Sequence, residues 1–160
     1  ALQPVDVLVH NAGVLPDERV ETDDGLEAGI CFINLKKRKM TFAGARFSLW
    51  RANGKGVIEI KGDRKGLGYR RYPLETTFTD IALPFEDSDT FYLTTDGLID
   101  QIGGPRGRSF GKRRFQELLK KNRGVPMREQ EESLRQALAT YQGHQIRRDD
   151  LTVLGFVPHS

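Results

Sequence analysis

The sequence has one cysteine, Cys31, among 160 residues, so no disulfide framework can form and a cysteine-built zinc site is not expected. A reducing compartment is the natural setting for such a chain. No apolar run approaches the roughly 18 residues needed to cross a bilayer. Residues 1–10 lack a basic n-region and a cleavage site, so no signal peptide is expected there. The three histidines, His10, His144 and His159, show no metal-ligand spacing. Internal repeats and low-complexity segments are absent. Charge of one sign is also scarce: 25 Lys and Arg against 22 Asp and Glu leave a net charge of +3.

What remains is a soluble globular composition, with 38% hydrophobic and 29% charged residues and a mean hydropathy of −0.51. The length suits one domain with its own core, here residues 1–160. Residues 4–10 alternate like a strand but also suit a short helix, and 13–25 read as loop. A strand is predicted over 28–35, a charged turn over 36–39, and a returning strand over 40–45 that continues through 47–51. Asn53-Gly54-Lys55-Gly56 predicts a hairpin turn leading into a strand at 57–60. Residues 62–72 read as an exposed loop, 76–83 as a strand, 84–89 as an acidic turn and 90–95 as a strand. Residues 103–109 read as a flexible loop. Phe115, Leu118 and Leu119 recur at helical spacing within 111–122, as do Leu134, Ala137, Leu138 and Tyr141 within 129–141. A last strand is predicted over 151–157. Antiparallel strands over 26–97, helices over 111–142 and a closing strand describe an α+β plan, not a doubly wound parallel one.

Two motifs carry candidate chemistry. Phe91-Tyr92-Leu93-Thr94-Thr95-Asp96-Gly97 sets a carboxylate at the end of an apolar strand. A strand end holds such a group rigidly, and Gly97 leaves room beside it. Taken alone, this is equally an ordinary strand-ending turn. Arg148-Asp149-Asp150-Leu151-Thr152-Val153 places two acids before the last strand, and alone such a pair is more often a solvated turn. If the two strands are neighbours, Asp96 and Asp149 meet at one sheet edge. Carboxylates without His or Cys nearby favour Mg²⁺ or Mn²⁺ over zinc. Two such ions can activate a bridging water against a phosphoryl group without a protein nucleophile.

Other motifs fall short. Val7-Leu8-Val9-His10-Asn11-Ala12-Gly13 resembles a segment of short-chain dehydrogenases, but the chain has neither G-x-G-x-x-G nor Tyr-x-x-x-Lys. Cys31 lies six residues before Lys37, where a cysteine phosphatase loop needs Arg, and sits mid-strand as an inert thiol. Basic segments at 36–39, 61–65 and 106–114 are interspersed with acids and have no aromatic platform, so nucleic acid is not an expected partner.

The ordered set Thr94-Thr95-Asp96-Gly97-Leu98-Ile99-Asp100, Phe110-Gly111, Arg114-Phe115 and Asp149-Asp150-Leu151-Thr152-Val153 resembles the PPM (protein phosphatase 2C-like) Ser/Thr phosphatases of the SpoIIE/RsbU type. Asp23-Asp24-Gly25-Leu26-Glu27-Ala28-Gly29, Met40-Thr41-Phe42-Ala43-Gly44-Ala45 and Lys65-Gly66-Leu67-Gly68 resemble the same group, so the likeness covers roughly residues 21–157. It implies an antiparallel β-sandwich flanked by helices and two Mg²⁺ or Mn²⁺ ions. Asp96 and Asp149 are then metal ligands, and Asp150 and Gly97 support them. It also implies hydrolysis of phosphoserine or phosphothreonine on a bacterial STAS-type regulatory protein. Arg106, Arg108, Lys112, Arg113 and Arg114 form a candidate substrate rim, or simply a solvated basic loop. The family's upstream motif, an Asp shortly before Gly-His-Gly, is absent, and the domain is expected to be incomplete at its N-terminus. A non-catalytic pseudophosphatase or protein-binding module is the alternative. A homodimer, an upstream membrane sensor and a cytoplasmic location complete the expectations.

Overall fold

The fold is that of a computed structural model, which describes residues 6–12, 26–68 and 76–158. The expected loop at 13–25 and part of that at 62–72 lie outside the described residues. The chain divides into two compact units. One comprises Ala1–Leu49, Glu59–Asp87 and Pro158–Ser160, and the other Trp50–Ile58 and Ser88–Val157.

The first unit holds a four-stranded sheet, ordered β1 (Asp6–Ala12), β2 (Glu27–Asn34), β3 (Lys39–Ala45) and β6 (Ile81–Pro84). Every pair in it is antiparallel, in registers such as Leu8↔Cys31, Cys31↔Phe42 and Phe42↔Ile81. The segment that suited either strand or helix is thus a strand. Along β2, Cys31 and Ile33 are buried while Ile30 and Phe32 are exposed, the two-residue period of a pleated strand. The β2–β3 turn is tied by Lys37 N–H to Asn34 Oδ1 (2.9 Å) and Arg38 N–H to Leu35 C=O (3.1 Å).

Two expectations need correction here. Residues 47–51 do not continue β3. Arg46 takes φ 53°, the chain bends, and a separate strand β4 (Ser48–Asn53) begins. The bend is possible because Gly44 has no side chain. A Cβ there would lie 2.5 Å from Phe47 C=O and 3.2 Å from Gly62 Cα. The 76–83 strand is also shorter than expected, because Thr79 N–H and Oγ1 both bond the Asp63 carboxylate (2.7 and 3.3 Å) and hold that stretch off the ladder.

The second sheet is ordered β10 (Val153–Phe156), β7 (Thr90–Thr94), β4 and β5 (Gly56–Lys61). All five β7 residues are buried. The second unit also carries α1 (Asp96–Asp100), β8 (Ile102–Gly103), β9 (Arg108–Ser109), α2 (Gly111–Lys121) and α3 (Met127–Gln142). Phe115 and Leu119 face inward four residues apart on α2, and Leu138 does so on α3. They join Trp50, Ala52, Val57, Tyr92, Leu98 and Phe110 in one apolar cluster, with Phe115 edge-on to Trp50 at 5.3 Å. Gly143 ends α3 at φ 57°, its N–H bonding Ala139 C=O.

Two further corrections concern this unit. Asp96-Gly97 opens a short helix instead of a plain turn. The stretch expected as a flexible loop is the β8–β9 hairpin, held by Tyr141, whose hydroxyl donates to Arg108 and Ser109 C=O and whose own carbonyl accepts Gly104 N–H. The α+β class and the antiparallel sheets are as expected.

Candidate metal centre

Strand β7 sets Phe91, Tyr92 and Leu93 between two β-branched threonines, Thr90 and Thr94, a run that suits a strand buried on both faces. It pairs antiparallel with β10 in the register Val153↔Thr94, so the end of β7 meets the start of β10. Asp96 lies just past one strand and Asp149 just before the other. The two motifs, more than fifty residues apart in sequence, are therefore brought together.

The junction is closely built. Thr95 N–H donates to Thr152 C=O at 3.1 Å. The Thr95 hydroxyl accepts Thr152 N–H (3.0 Å) and donates to Asp150 C=O (2.9 Å). Thr94 Oγ1 lies 3.1 Å from Thr152 C=O. Gly97 packs directly on the same segment: a Cβ there would meet Asp150 C at 3.0 Å and Asp149 C at 3.4 Å, and its carbonyl oxygen closer still. Asp150 N–H donates to Asp149 Oδ1 at 2.7 Å, which orients that carboxylate. Asp96, Asp149 and Asp150 are all exposed, while Thr95 beneath them is buried. Gln101, also buried, donates through Nε2 to Ile102 C=O (2.9 Å) and reaches Ile146 C=O at 3.4 Å, linking the end of α1 to the segment that leads to Asp149.

Sequence reasoning singled out the acids and Gly97 and gave no role to Thr95 or Gln101. In the sequence Thr95 reads only as the last residue of a strand before Asp96. Nothing in the sequence singles out Gln101.

The donor chemistry fits a hard cation. Mg²⁺ is ordinarily held by one or two carboxylates and keeps several waters, so Asp96 and Asp149, both exposed at this junction, are the candidate donors by their chemistry. Among the described residues, however, no group of three or more His, Cys, Asp or Glu is placed to hold a metal. A second ion would need a further acid from elsewhere.

The basic loop is more committed to structure than expected. Arg113 pairs with Glu117 (3.1 Å) on the exposed face of α2. Arg114 donates to Phe110 C=O (2.9 Å) and lies over the Tyr141 ring at 4.7 Å. Arg106 and Arg108 are exposed on the hairpin, and Lys112 is exposed at the start of α2.

Comparison with known proteins follows the same direction. A family model described as Stage II sporulation protein E (SpoIIE) matches residues 3–156. The chain is similar to the SiaA-PP2C domain of Pseudomonas aeruginosa, at 39% identity and a TM-score of 0.76, over 82% of this chain and 51% of that one. The PP2C phosphatase domain of SpoIIE from Bacillus subtilis, solved with a fragment of its regulatory domain, gives 13% identity and a TM-score of 0.61, over 81% of this chain and 37% of that one. RsbX in complex with magnesium gives 24% and 0.52, over 82% and 55%. These last two speak for the fold alone. The chain thus spans about half the length of the SiaA domain. No curated protein matches it.

Proposed function

The chain belongs to the SpoIIE family of PP2C-type phosphatases, and on that premise we propose that it forms part of a metal-dependent Ser/Thr phosphatase centre, in which Asp96 and Asp149 hold a shared Mg²⁺ or Mn²⁺. The observation that supports this reading is the β7–β10 junction, where the ends of two paired strands bring the Asp96 and Asp149 segments together and Gly97 lets the Asp149–Asp150 backbone pack close. Such a cation, when bound, lowers the pKa of a coordinated water and polarises a phosphoryl oxygen.

The chain's own residues have defined tasks in this scheme. Asp96, just past β7, and Asp149, just before β10, would hold the cation. The Asp150 N–H holds Oδ1 of Asp149, which restrains that carboxylate. The Asp150 carbonyl is engaged by Thr95, which places Asp150 in support of its neighbour. Arg106 and Arg108 supply exposed positive charge for a phosphoprotein. Cys31 takes no part: it is fully buried, and burial pushes its thiol up to about 12.

The finer reading is hydrolysis of phosphoserine or phosphothreonine on a STAS-type regulatory protein, with two ions and a cytoplasmic setting. The test is Mn²⁺-dependent phosphate release from a phosphoserine peptide by the full-length protein. Asp96→Ala and Asp149→Ala should each abolish it, and normal turnover by either variant would remove the metal assignment.

A second reading is a non-catalytic module that binds a regulatory protein through the same face; among the described residues no group of three or more His, Cys, Asp or Glu is placed to hold a metal. Calorimetry separates the two, because such a module binds its partner but shows no specific Mn²⁺ binding.

A further inference from the structure

Thr95 stands at the N-cap position of α1, with extended φ −70° and ψ 161°. A threonine there ordinarily turns its hydroxyl onto the amides of the first helical turn. This one makes no such bond. Its hydroxyl points across the junction instead, accepting Thr152 N–H and donating to Asp150 C=O, and so uses both its donor and its acceptor capacity on the opposite segment. The helix forgoes its cap, and the side chain joins the Thr95 N–H bond to Thr152 C=O just past the last strand pair, Val153↔Thr94.

These bonds fall where the two acidic segments approach each other. Asp96 is the next residue after Thr95, and Asp149 immediately precedes the Asp150 whose carbonyl the hydroxyl holds. The buried hydroxyl thus ties the two segments together alongside the Thr95 N–H bond to Thr152 C=O, and it alone reaches Asp150 C=O. Gly97 closes the same gap from the other side, since its missing Cβ lets Asp150 approach the start of α1. Thr94, one residue earlier, is a natural control: its hydroxyl reaches only Thr95 C=O and Thr152 C=O, both at 3.1 Å.

We propose that Thr95 is a positioning residue, whose hydroxyl clips the Asp149–Thr152 segment against Asp96 and sets the spacing at which the two carboxylates can share one hard cation. The cation rests on the reading above. The clip itself is a property of the metal-free protein and can be tested separately.

Amide hydrogen exchange on the metal-free chain reads the clip, because the Thr152 N–H bonds the Thr95 hydroxyl directly. Thr95→Val should speed exchange at Thr152 by about tenfold or more, the consequence of losing one buried acceptor, while Leu154 within the ladder keeps its protection. Thr95→Ser, which retains the hydroxyl, should stay within about threefold of wild type, as should Thr94→Val. Wild-type protection of Thr152 in Thr95→Val would overturn the clip. Titration of the same proteins with Mn²⁺ reads the spacing. Thr95→Val should bind about tenfold more weakly at unchanged stoichiometry, with Thr95→Ser and Thr94→Val near wild type. Equal affinity in Thr95→Val would overturn the positioning role. Wild type that binds no Mn²⁺ would instead refute the metal reading, leaving exchange to judge the clip. If Thr95→Val fails to fold, Thr95→Cys carries the same two measurements, its sulfur being the weaker hydrogen-bonding group.

Discussion

Gly97→Ala is the perturbation whose magnitude follows most directly from the coordinates. An added methyl would lie about 1 Å inside ordinary contact with the Asp150 carbonyl oxygen, with Asp150 C at 3.0 Å as well. Both neighbours are backbone, so no side chain can swing aside. The start of α1 and the Asp149–Asp150 segment must separate by about that distance. The energetic balance is modest: alanine in a helix gains about 1 kcal/mol over glycine, and overpacking costs about 1–3 kcal/mol. A net loss of about 1 kcal/mol corresponds to a drop in Tm of about 2–4 °C for a chain of this size. Function is far more sensitive, because a misplacement of about 1 Å in a catalytic arrangement costs about 100-fold in rate. The expected result is a folded protein, slightly less stable, whose Mn²⁺-dependent phosphate release falls by about two orders of magnitude. Thermal melts and phosphate release on the same preparation measure both. Activity within threefold of wild type would refute the close-packed junction as the seat of the chemistry.

The remaining predictions concern separate features. Asp96→Asn and Asp149→Asn should each lower turnover by at least about 100-fold with little change in melting, since both side chains are exposed; a large loss of stability would point to a structural role instead. Asp89, almost fully buried, pairs with Arg51 at 2.5 Å, so Asp89→Ala should cost about 3–5 kcal/mol in urea unfolding, whereas Arg51→Met with Asp89→Leu should recover most of it. Tyr92 donates its hydroxyl to the buried Gln130 Oε1, and Tyr92→Phe should cost about 1–3 kcal/mol. Burial pushes the Tyr92 phenol up to about 12, more than its hydrogen bonds with Thr90 and Gln130 lower it. The unfolded chain therefore loses this proton first, near pH 10, and stability present below pH 10 should fall as pH rises from about 10 to 12, more steeply than in Tyr92→Phe. Cys31 should resist thiol reagents until the chain is unfolded; rapid labelling of the native protein would contradict its burial.

Much of the fold was legible because its signals are local. The apolar runs of β2, β3 and β7 and the helical spacing of Phe115 with Leu119 mark elements that packing then keeps. The acids were legible for the same reason, each lying at the edge of a readable strand. What could not be read depends on partners distant in sequence. The break at Arg46 follows from the close approach of Gly44 to Gly62. The shortened β6 follows from the Asp63 carboxylate holding Thr79. Order in the β8–β9 hairpin comes from Tyr141, over thirty residues away. Thr95 escaped notice because the sequence shows it only as the end of a strand, and only the register of β10 reveals a use for its hydroxyl.

The most direct measurement is backbone amide NMR of the chain titrated with Mn²⁺, whose paramagnetism broadens only nearby signals. A cation shared by Asp96 and Asp149 should broaden the amides of 96–97 and 149–150 together at low Mn²⁺, and Asp96→Asn should weaken the effect at both segments. Broadening centred elsewhere, or on only one of the two segments, would contradict a common ion at the β7–β10 junction.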